Sequence, residues 1–548
     1  MGDQLVPAPP PSNGRTGDVS EAPSDRAAHR PTILVGARPL TCEDVARVAR
    51  GHARLAISPD PAVRDRIEQS VRWLRARLDA GERIYGVTTG FGESCLNDVP
   101  REYGEQLALN LVRFHGCGTG ALLDDDAAAA IIAVRLASLV QGWSGVQLEV
   151  LERLCTLVNL RLLPRIPCEG SVGASGDLTP LSYVAAVLVG EREVSWQGRV
   201  VEAAVALREA GLQPLVLQPK ESLAIMNGTC VITALVCLAV ERARRLARLA
   251  AVLTAMASDV TRGNPAHFDD RSFAAKPHPG QRLCAQWVRH AVEYQPGQRH
   301  EGRIQDRYSI RCAPHVVGVL LDALTWMRTW TETELNGVND NPLLDPASGE
   351  VLFGGNFYGG HVGFVADSLK TAVANVADLL DRQLALLCSP ETSGGLPENL
   401  VGRTGADRVA HHGFKAMQIA ASALTAEALK LTLPASVFSR STECHNQDKV
   451  SMGTIAARDC LRVLDLTETV AAICLLALCQ AVDLRGGEGC HARARRMHDA
   501  VRRVVPFNDG DRRQDGDIAA VLALLRADEL PIEERASEQA ASTDGPLA

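Results

Sequence analysis

Aromatic residues are scarce in this chain: Phe, Trp and Tyr together supply 4% of its 548 residues. Beside abundant Ala and Leu, that scarcity points to helices. Long apolar runs are missing as well. The longest strongly apolar stretch, Val470 to Cys479, is about half of the roughly 20 residues a bilayer-spanning helix requires, and no basic n-region with an apolar h-region opens the chain. The expectation is a cytoplasmic protein with no membrane partner. A concentrated basic face is also lacking. The 57 Lys and Arg are dispersed under a net charge of −8, which leaves no phosphate-neutralising stripe, so nucleic acid is not an expected partner. The 15 cysteines lack the spacing of a disulfide framework. Only Cys474 and Cys479 approach a zinc-type spacing, and Cys444-His445 and Cys490-His491 are adjacent pairs with no second pair nearby. No metal is expected, and no repeat of solenoid length is apparent.

What the chain does have is the balance of a globular protein, 46% hydrophobic and 22% charged, at a length that exceeds what one core usually serves. Two or three packed sub-regions are therefore expected. Leu369, Val373, Val376, Leu380, Leu384 and Leu387 step by three or four and share one helical face. The stretches Val316 to Leu335, Leu238 to Val260, Ala421 to Leu433 and Ile455 to Val482 behave similarly and contain no proline. The fold class that follows is mainly α, an extended multi-helix bundle with a loop-rich N-terminal region. Residues 1 to about 32 have almost nothing apolar to bury and are expected to be disordered, while the tail from about Asp528 is acidic and equally poor in large apolar residues. Chemistry is expected in the glycine-rich loops, at Gly86 to Gly92, Gly116 to Gly120, Gly170 to Gly176 and Gly354 to Gly363, where backbone approaches something closely.

One loop stands out. Glu169-Gly170-Ser171-Val172-Gly173-Ala174-Ser175-Gly176-Asp177-Leu178 sets three small residues, Ala174, Ser175 and Gly176, between a flexible approach and an acid. A plain account is a glycine turn with Asp177 capping a helix. Serine hydrolysis is disfavoured, because the nucleophile elbow needs glycine two residues either side of the serine and Asp177 occupies the second place. Continued through Leu178-Thr179-Pro180-Leu181-Ser182-Tyr183, the segment closely resembles the signature of the histidine and aromatic amino-acid ammonia-lyases and aminomutases. That resemblance implies an electrophile made from the chain itself. The amide nitrogen after the serine attacks the carbonyl before it, and loss of water gives a 4-methylidene-imidazol-5-one. An amine is a poor leaving group, and no pyridoxal motif, metal cluster or nucleotide loop offers an external cofactor to expel it.

The resemblance extends from about Ile33 to Gly489, in separated segments that keep the family's order. Tyr85, in Tyr85-Gly86-Val87-Thr88-Thr89-Gly90-Phe91-Gly92, matches the general base on a lid loop. A free tyrosine ionises near ~10, so this role calls for a lowered pKa. Arg311, in Gln305-Asp306-Arg307-Tyr308-Ser309-Ile310-Arg311-Cys312, matches the arginine that holds the substrate carboxylate. Asn227 in Met226-Asn227-Gly228-Thr229 and Tyr308 match catalytic positions whose amide and hydroxyl hydrogen-bond the electrophile; outside the motif Asn227 would read as a helix cap. Gly92, Leu223, Gln305, Asn356 and Phe357 match substrate-binding positions. The family also implies a homotetramer with sites shared between subunits, and a division into 33–226 bearing the electrophile, 227–510 as the long-helix bundle, and 511–548 as a C-terminal helix and tail.

Ring selectivity resembles a reading of the pair after Asn110-Leu111-Val112-Arg113, here Phe114 and His115. Phe114 is like the phenylalanine enzymes, whereas His115 resembles the second position of histidine-type enzymes and could donate to a phenolic oxygen. Gln447 stands where histidine enzymes carry a glutamate, so an imidazole substrate would lack its charge partner. Glu443, Lys415 and Ile419 resemble the phenylalanine enzymes. The expected activity is elimination of ammonia from an aromatic L-amino acid: phenylalanine first, giving trans-cinnamate, tyrosine second, histidine behind both. Two rivals remain, an aminomutase that returns the ammonia to the β-carbon and an inactive helical scaffold.

Overall fold

The protein, seen here as a computed structural model, is described over residues 30–297, 302–487 and 490–532. Most of the N-terminal tail and the acidic end of the C-terminal tail lie outside those residues. Short strands come first: β1 (Thr32–Val35) pairs in parallel with β2 (Arg54–Ile57). Then β3 (Thr119–Leu122) pairs antiparallel with β4 (Pro167–Glu169), which feeds directly into the Gly170–Gly176 loop. The helices that matter for the site are α1 (Gly104–Phe114), α2 (Asp125–Leu139), α3 (Leu178–Leu188), α4 (Glu221–Met226), α5 (Cys230–Val260), α6 (Pro279–Ala291), α7 (Ala313–Leu335), α8 (Gly360–Cys388), α9 (Lys415–Lys430) and α10 (Gly453–Leu484).

Three of these, α5, α8 and α10, run 29 to 32 residues and pack against one another, with α7 and α9 on their flanks. The expected periodic face of Leu369, Val373, Val376, Leu380, Leu384 and Leu387 is fully buried in α8. The mainly α reading therefore holds in detail. Boundaries move: the helix expected from Leu238 begins at Cys230, and the one expected over Ala421 to Leu433 begins at Lys415 and ends at Lys430, so its first five residues carry two of the expected site residues. That stretch escapes the periodicity because Lys415, Ala416 and Ile419 face outward.

One continuous apolar core reaches from Ile33 to Ile532, so the expected division at 226/227, in the turn between α4 and α5, has core side chains on both sides. A separate small cluster, Leu74, Ile84, Val87 and Leu344, sits under the Tyr85 loop. The stretch Tyr308–Leu335 is long and apolar enough, by length and composition alone, to cross a membrane. In the fold its α7 part packs on α5, α6 and α8 and carries Arg328, which pairs with Glu43 and Glu332.

Candidate active site

The Gly170–Gly176 loop is clamped by the N-termini of two long helices that are distant in sequence. Asp177, fully buried, is the clamp: its carboxylate accepts from the backbone N–H of Ile232 (2.9 Å) in the first turn of α5, from the Thr454 hydroxyl (2.6 Å) in the first turn of α10, and from Ser171 (3.3 Å). It stands at the N-cap position of α3 yet makes no side-chain cap there. The capping account is thus right in kind and wrong in helix. Burial pushes the Asp177 carboxyl up to about 6, and the three donors limit that rise.

Loop backbone is then pinned on both sides. The Asp177 N–H donates to Gly228 O (2.8 Å), the Ser451 and Met452 N–H groups donate to Gly173 O and Val172 O, and Gly176 faces Gly228 in a parallel bridge. At Gly176 φ is +67°, and a Cβ built there would overlap the Gly228 carbonyl. Only glycine fits. Ala174 and Ser175 are left half-buried. Ser175 Oγ accepts from Gln447 Nε2 (3.2 Å), whose amide is oriented by the Thr442 hydroxyl donating to Oε1 (3.1 Å). Sequence reasoning missed Thr442, Ser451 and Thr454, because isolated hydroxyls in unrelated segments carry no pattern.

Asn227 ends α4, in the C-cap position, with its side chain turned inward. Its Nδ2 donates to Asn341 O (2.9 Å) and lies 3.5 Å from Asp340 Oδ1, while its buried Oδ1 has no partner among the described residues. Two acceptors around Nδ2 fix the amide orientation. Asn227 therefore presents an acceptor, not the donor its match implied. Beneath it, Lys220 and Asp340 form a fully buried pair at 2.5 Å.

Tyr85 is half-buried on its loop, and its hydroxyl oxygen accepts from the Gly92 N–H (2.8 Å). Burial raises its pKa above the ordinary value, with Cys95 and Glu443 adding to the rise; only the Gly92 bond opposes them. The lowered pKa expected of a base is thus not produced among the described residues of one chain, where no cation adds to the causes acting on the phenol. Glu443 holds the loop in place, accepting the Glu93 N–H at 3.0 and 3.2 Å, and a Cβ on Gly92 (φ +56°) would fall on that carboxylate. Buried Leu223 packs against Gly86 from α4. Tyr85, Gly92, Leu223, Glu443, Gln447, Ser175 and Asn227 thus lie on interlocked segments.

The other expected residues are elsewhere on the chain. Arg311 stacks its guanidinium over Tyr308 (4.7 Å) and donates from Nε to Asp306 O (3.0 Å), leaving both terminal nitrogens without a protein acceptor among the described residues. Gln305, Asn356 and Lys415 are exposed, as are Tyr308 (72%), Ile419 (66%) and Phe114 (59%), while Phe357 is half-buried. Among the described residues no hydrogen bond or ion pair joins any of them to Ser175 or Tyr85. His115 donates from Nδ1 to Leu111 O (3.0 Å) and stacks on Phe114. Burial lowers its pKa, so the ring is neutral and Nε2 is an acceptor. The expected donation to a phenolic oxygen is reversed: this nitrogen accepts. No group of three or more His, Cys, Asp or Glu able to hold a metal occurs among the described residues, where His445 bonds Ser441 and His491 pairs with Asp259.

Residues 40–503 match the family model for aromatic amino acid lyases. A histidine ammonia-lyase of Gloeobacter violaceus is 38% identical over 489 residues, 89% of this chain and 94% of that protein. Human histidine ammonia-lyase is 36% identical over 495 residues, 89% and 74% of the two chains. Among solved structures, a tyrosine aminomutase of Streptomyces globisporus superposes with a TM-score of 0.84 at 36% identity, across 94% of this chain and 100% of that one. A phenylalanine aminomutase of Pantoea agglomerans reaches 0.83 at 29% identity, across 92% and 99%. The names differ both on the outcome, ammonia-lyase or aminomutase, and on the ring. Phenylalanine, first in the sequence reading, is not singled out, and histidine, placed behind it, is the substrate named for these curated relatives.

Proposed function

The chain belongs to the aromatic amino acid lyase family and is a carbon–nitrogen lyase, and we propose that it eliminates ammonia from an aromatic L-amino acid, with L-phenylalanine giving trans-cinnamate as the first substrate. The observation that carries this reading is the Ala174-Ser175-Gly176 turn, pinned so closely that no side chain fits at Gly176 and with Ser175 Oγ held at 3.2 Å by Gln447. Small residues in a fixed, close-fitting turn suit cyclisation to a 4-methylidene-imidazol-5-one, and the unpartnered Oδ1 of Asn227 beside Gly228 leaves a polar place at its edge. When formed, that group supplies the electrophile that Ser, His and Lys side chains lack.

The remaining work falls to the chain's own side chains. Arg311 takes the substrate carboxylate on its two free terminal nitrogens, a bidentate geometry that its Nε bond to Asp306 O pre-orients. Asn227 Oδ1 accepts from the substrate amine. Tyr85, as its phenolate steadied by the Gly92 N–H, removes a β-proton and becomes the neutral phenol. Phe114 forms the apolar wall for the ring, with Gln305, Tyr308, Asn356, Phe357, Lys415, Ile419 and Glu443 completing the pocket. Sites shared between subunits of a homotetramer account for the exposure of Tyr308, Ile419 and Phe114 in a single chain. Ser175→Ala is expected to remove the near-ultraviolet absorbance of the cyclised turn and nearly all turnover; a variant with normal turnover would overturn the reading.

One observation favours a second substrate. His115 Nε2, an acceptor in the neutral ring, suits a phenol O–H, and burying that hydroxyl unpaired would cost about 1–3 kcal/mol. On this reading tyrosine exceeds phenylalanine, and His115→Phe lowers kcat/KM for tyrosine by roughly 10- to 100-fold while sparing phenylalanine. Separate incubations with phenylalanine, tyrosine and histidine, with the products chromatographed, distinguish these substrates and separate acrylate from the β-amino acid of an aminomutase.

A further inference from the structure

Ile84 and Val87, which bracket Tyr85 and Gly86, are not anchored in the main core; they pack with Leu74 and Leu344 in the separate cluster, backed by Trp73, Leu78 and Val351. The far side of that cluster walls a cavity of about 800 Å³. Small-molecule sites commonly fall between roughly 300 and 1,000 Å³. Its apolar lining comes from Val71, Leu74, Leu78, Val87 and Val99. Three arginines reach it. Arg83 is paired with Asp98 (2.6 Å) and Arg101 with Asp79 (2.8 Å), and Glu82, also in the lining, pairs with Arg77; Arg75 and Glu105 have no ion-pair partner among the described residues, and Arg75 bonds the Gln147 amide oxygen (3.1 Å).

That amide leads to the active site from a second direction. Gln147 donates to the buried Glu221 carboxylate from its backbone (2.9 Å) and its side chain (3.4 Å). Glu221 opens α4, the short helix that presses Leu223 on Gly86 and ends at Asn227. A ligand in the cavity would therefore touch the Tyr85 turn from behind through Val87 and the Asn227 helix through Arg75, Gln147 and Glu221.

We propose that this cavity is a second small-molecule site, which takes an aromatic carboxylate with its ring between the apolar walls and its carboxylate on Arg75, and that occupancy restrains the Tyr85 turn. The apolar walls suit the ring, and Arg75, the one arginine of the lining without an ion pair among the described residues, offers its fork-shaped guanidinium to a carboxylate. The acid released by the proposed elimination belongs to this class, so product itself would modulate the lid. Binding rests on the cavity alone, whereas the effect on turnover rests on the role proposed for Tyr85.

The probe is 3-phenylpropanoate, which has a ring and a carboxylate but no amine to eliminate. Calorimetric titration of the full-length protein should resolve two sites per chain. Arg75→Gln removes the cavity site, weakening it roughly tenfold or more, while Arg311→Gln removes the other. Val99→Trp narrows the cavity without changing charge and should also weaken the cavity site, which guards against misfolding of the arginine variant. In kinetics the probe gives mixed inhibition in the native enzyme and purely competitive inhibition in Arg75→Gln, with kcat unchanged in its absence. A second site of unchanged affinity in both Arg75→Gln and Val99→Trp, or complete loss of binding in Arg311→Gln, would overturn the proposal. Two sites persisting in Arg311→Gln would instead count against the role given to Arg311, with the cavity still judged on the Arg75 arm.

Discussion

At the residue scale, Asp177 and Gly176 govern the loop by opposite means, one by charge and one by having no side chain. Burial holds the Asp177 carboxyl at about 6, above the ~3.9 of an unfolded chain. Between those values the native state keeps a proton that the unfolded chain has released. Stability therefore falls as pH rises from about 4 to about 6 and the loss is complete above that window, on the order of 3 kcal/mol. Asp177→Asn should flatten this part of the stability–pH profile, read as the difference in Tm between variant and parent; an unaltered slope would refute the assignment. At Gly176 a methyl group meets the Gly228 carbonyl in a backbone conformation that L-residues rarely adopt. Gly176→Ala is expected to cost about 1–3 kcal/mol from the backbone alone, measurable by urea unfolding, and to abolish turnover.

At the scale of elements, α4 is the joint on which the site hangs. Its N-terminal neighbour Lys220 has a left-handed backbone and a fully buried ammonium, whose pKa burial lowers while Asp340 opposes the fall. Removing one partner leaves the other buried and unpaired. Lys220→Met should destabilise the fold by roughly 3–5 kcal/mol, and Lys220→Met with Asp340→Leu should recover much of that. A double variant as unstable as the sum of the singles would show that the pair is not coupled. The N-termini of α5 and α10, converging on Asp177, set the loop, and like α4 they are anchored in the main core.

At the scale of the molecule, one chain contains the pieces of a site without joining them. Arg311 has no bond to Ser175 or Tyr85 among the described residues, and Tyr85 is pushed away from the pKa a base needs. Shared sites would supply both the arginine and the missing positive charge from neighbouring copies. Two inactive variants, Ser175→Ala and Arg311→Gln, should then regain partial activity when co-expressed, because some mixed sites carry both native residues. Continued inactivity in mixed assemblies of the normal size would mean that each site is built from one chain.

The sequence by itself determined the helical class, because the faces of α5, α8 and α10 are periodic over many turns and burial needs only that periodicity. It also marked the Ala174-Ser175-Gly176 turn as the place to look for chemistry, because the segment around it resembles the ammonia-lyase signature. What only the tertiary structure decided are relations across long separations. Asp177 meets Thr454 across 277 residues, and Gln447 meets Ser175 across 272. The Asn227 amide is turned by Asn341, and the His115 tautomer is set by the Leu111 carbonyl. A hydroxyl or amide shows its orientation only beside its partner, and which segments become neighbours depends on how the long helices pack.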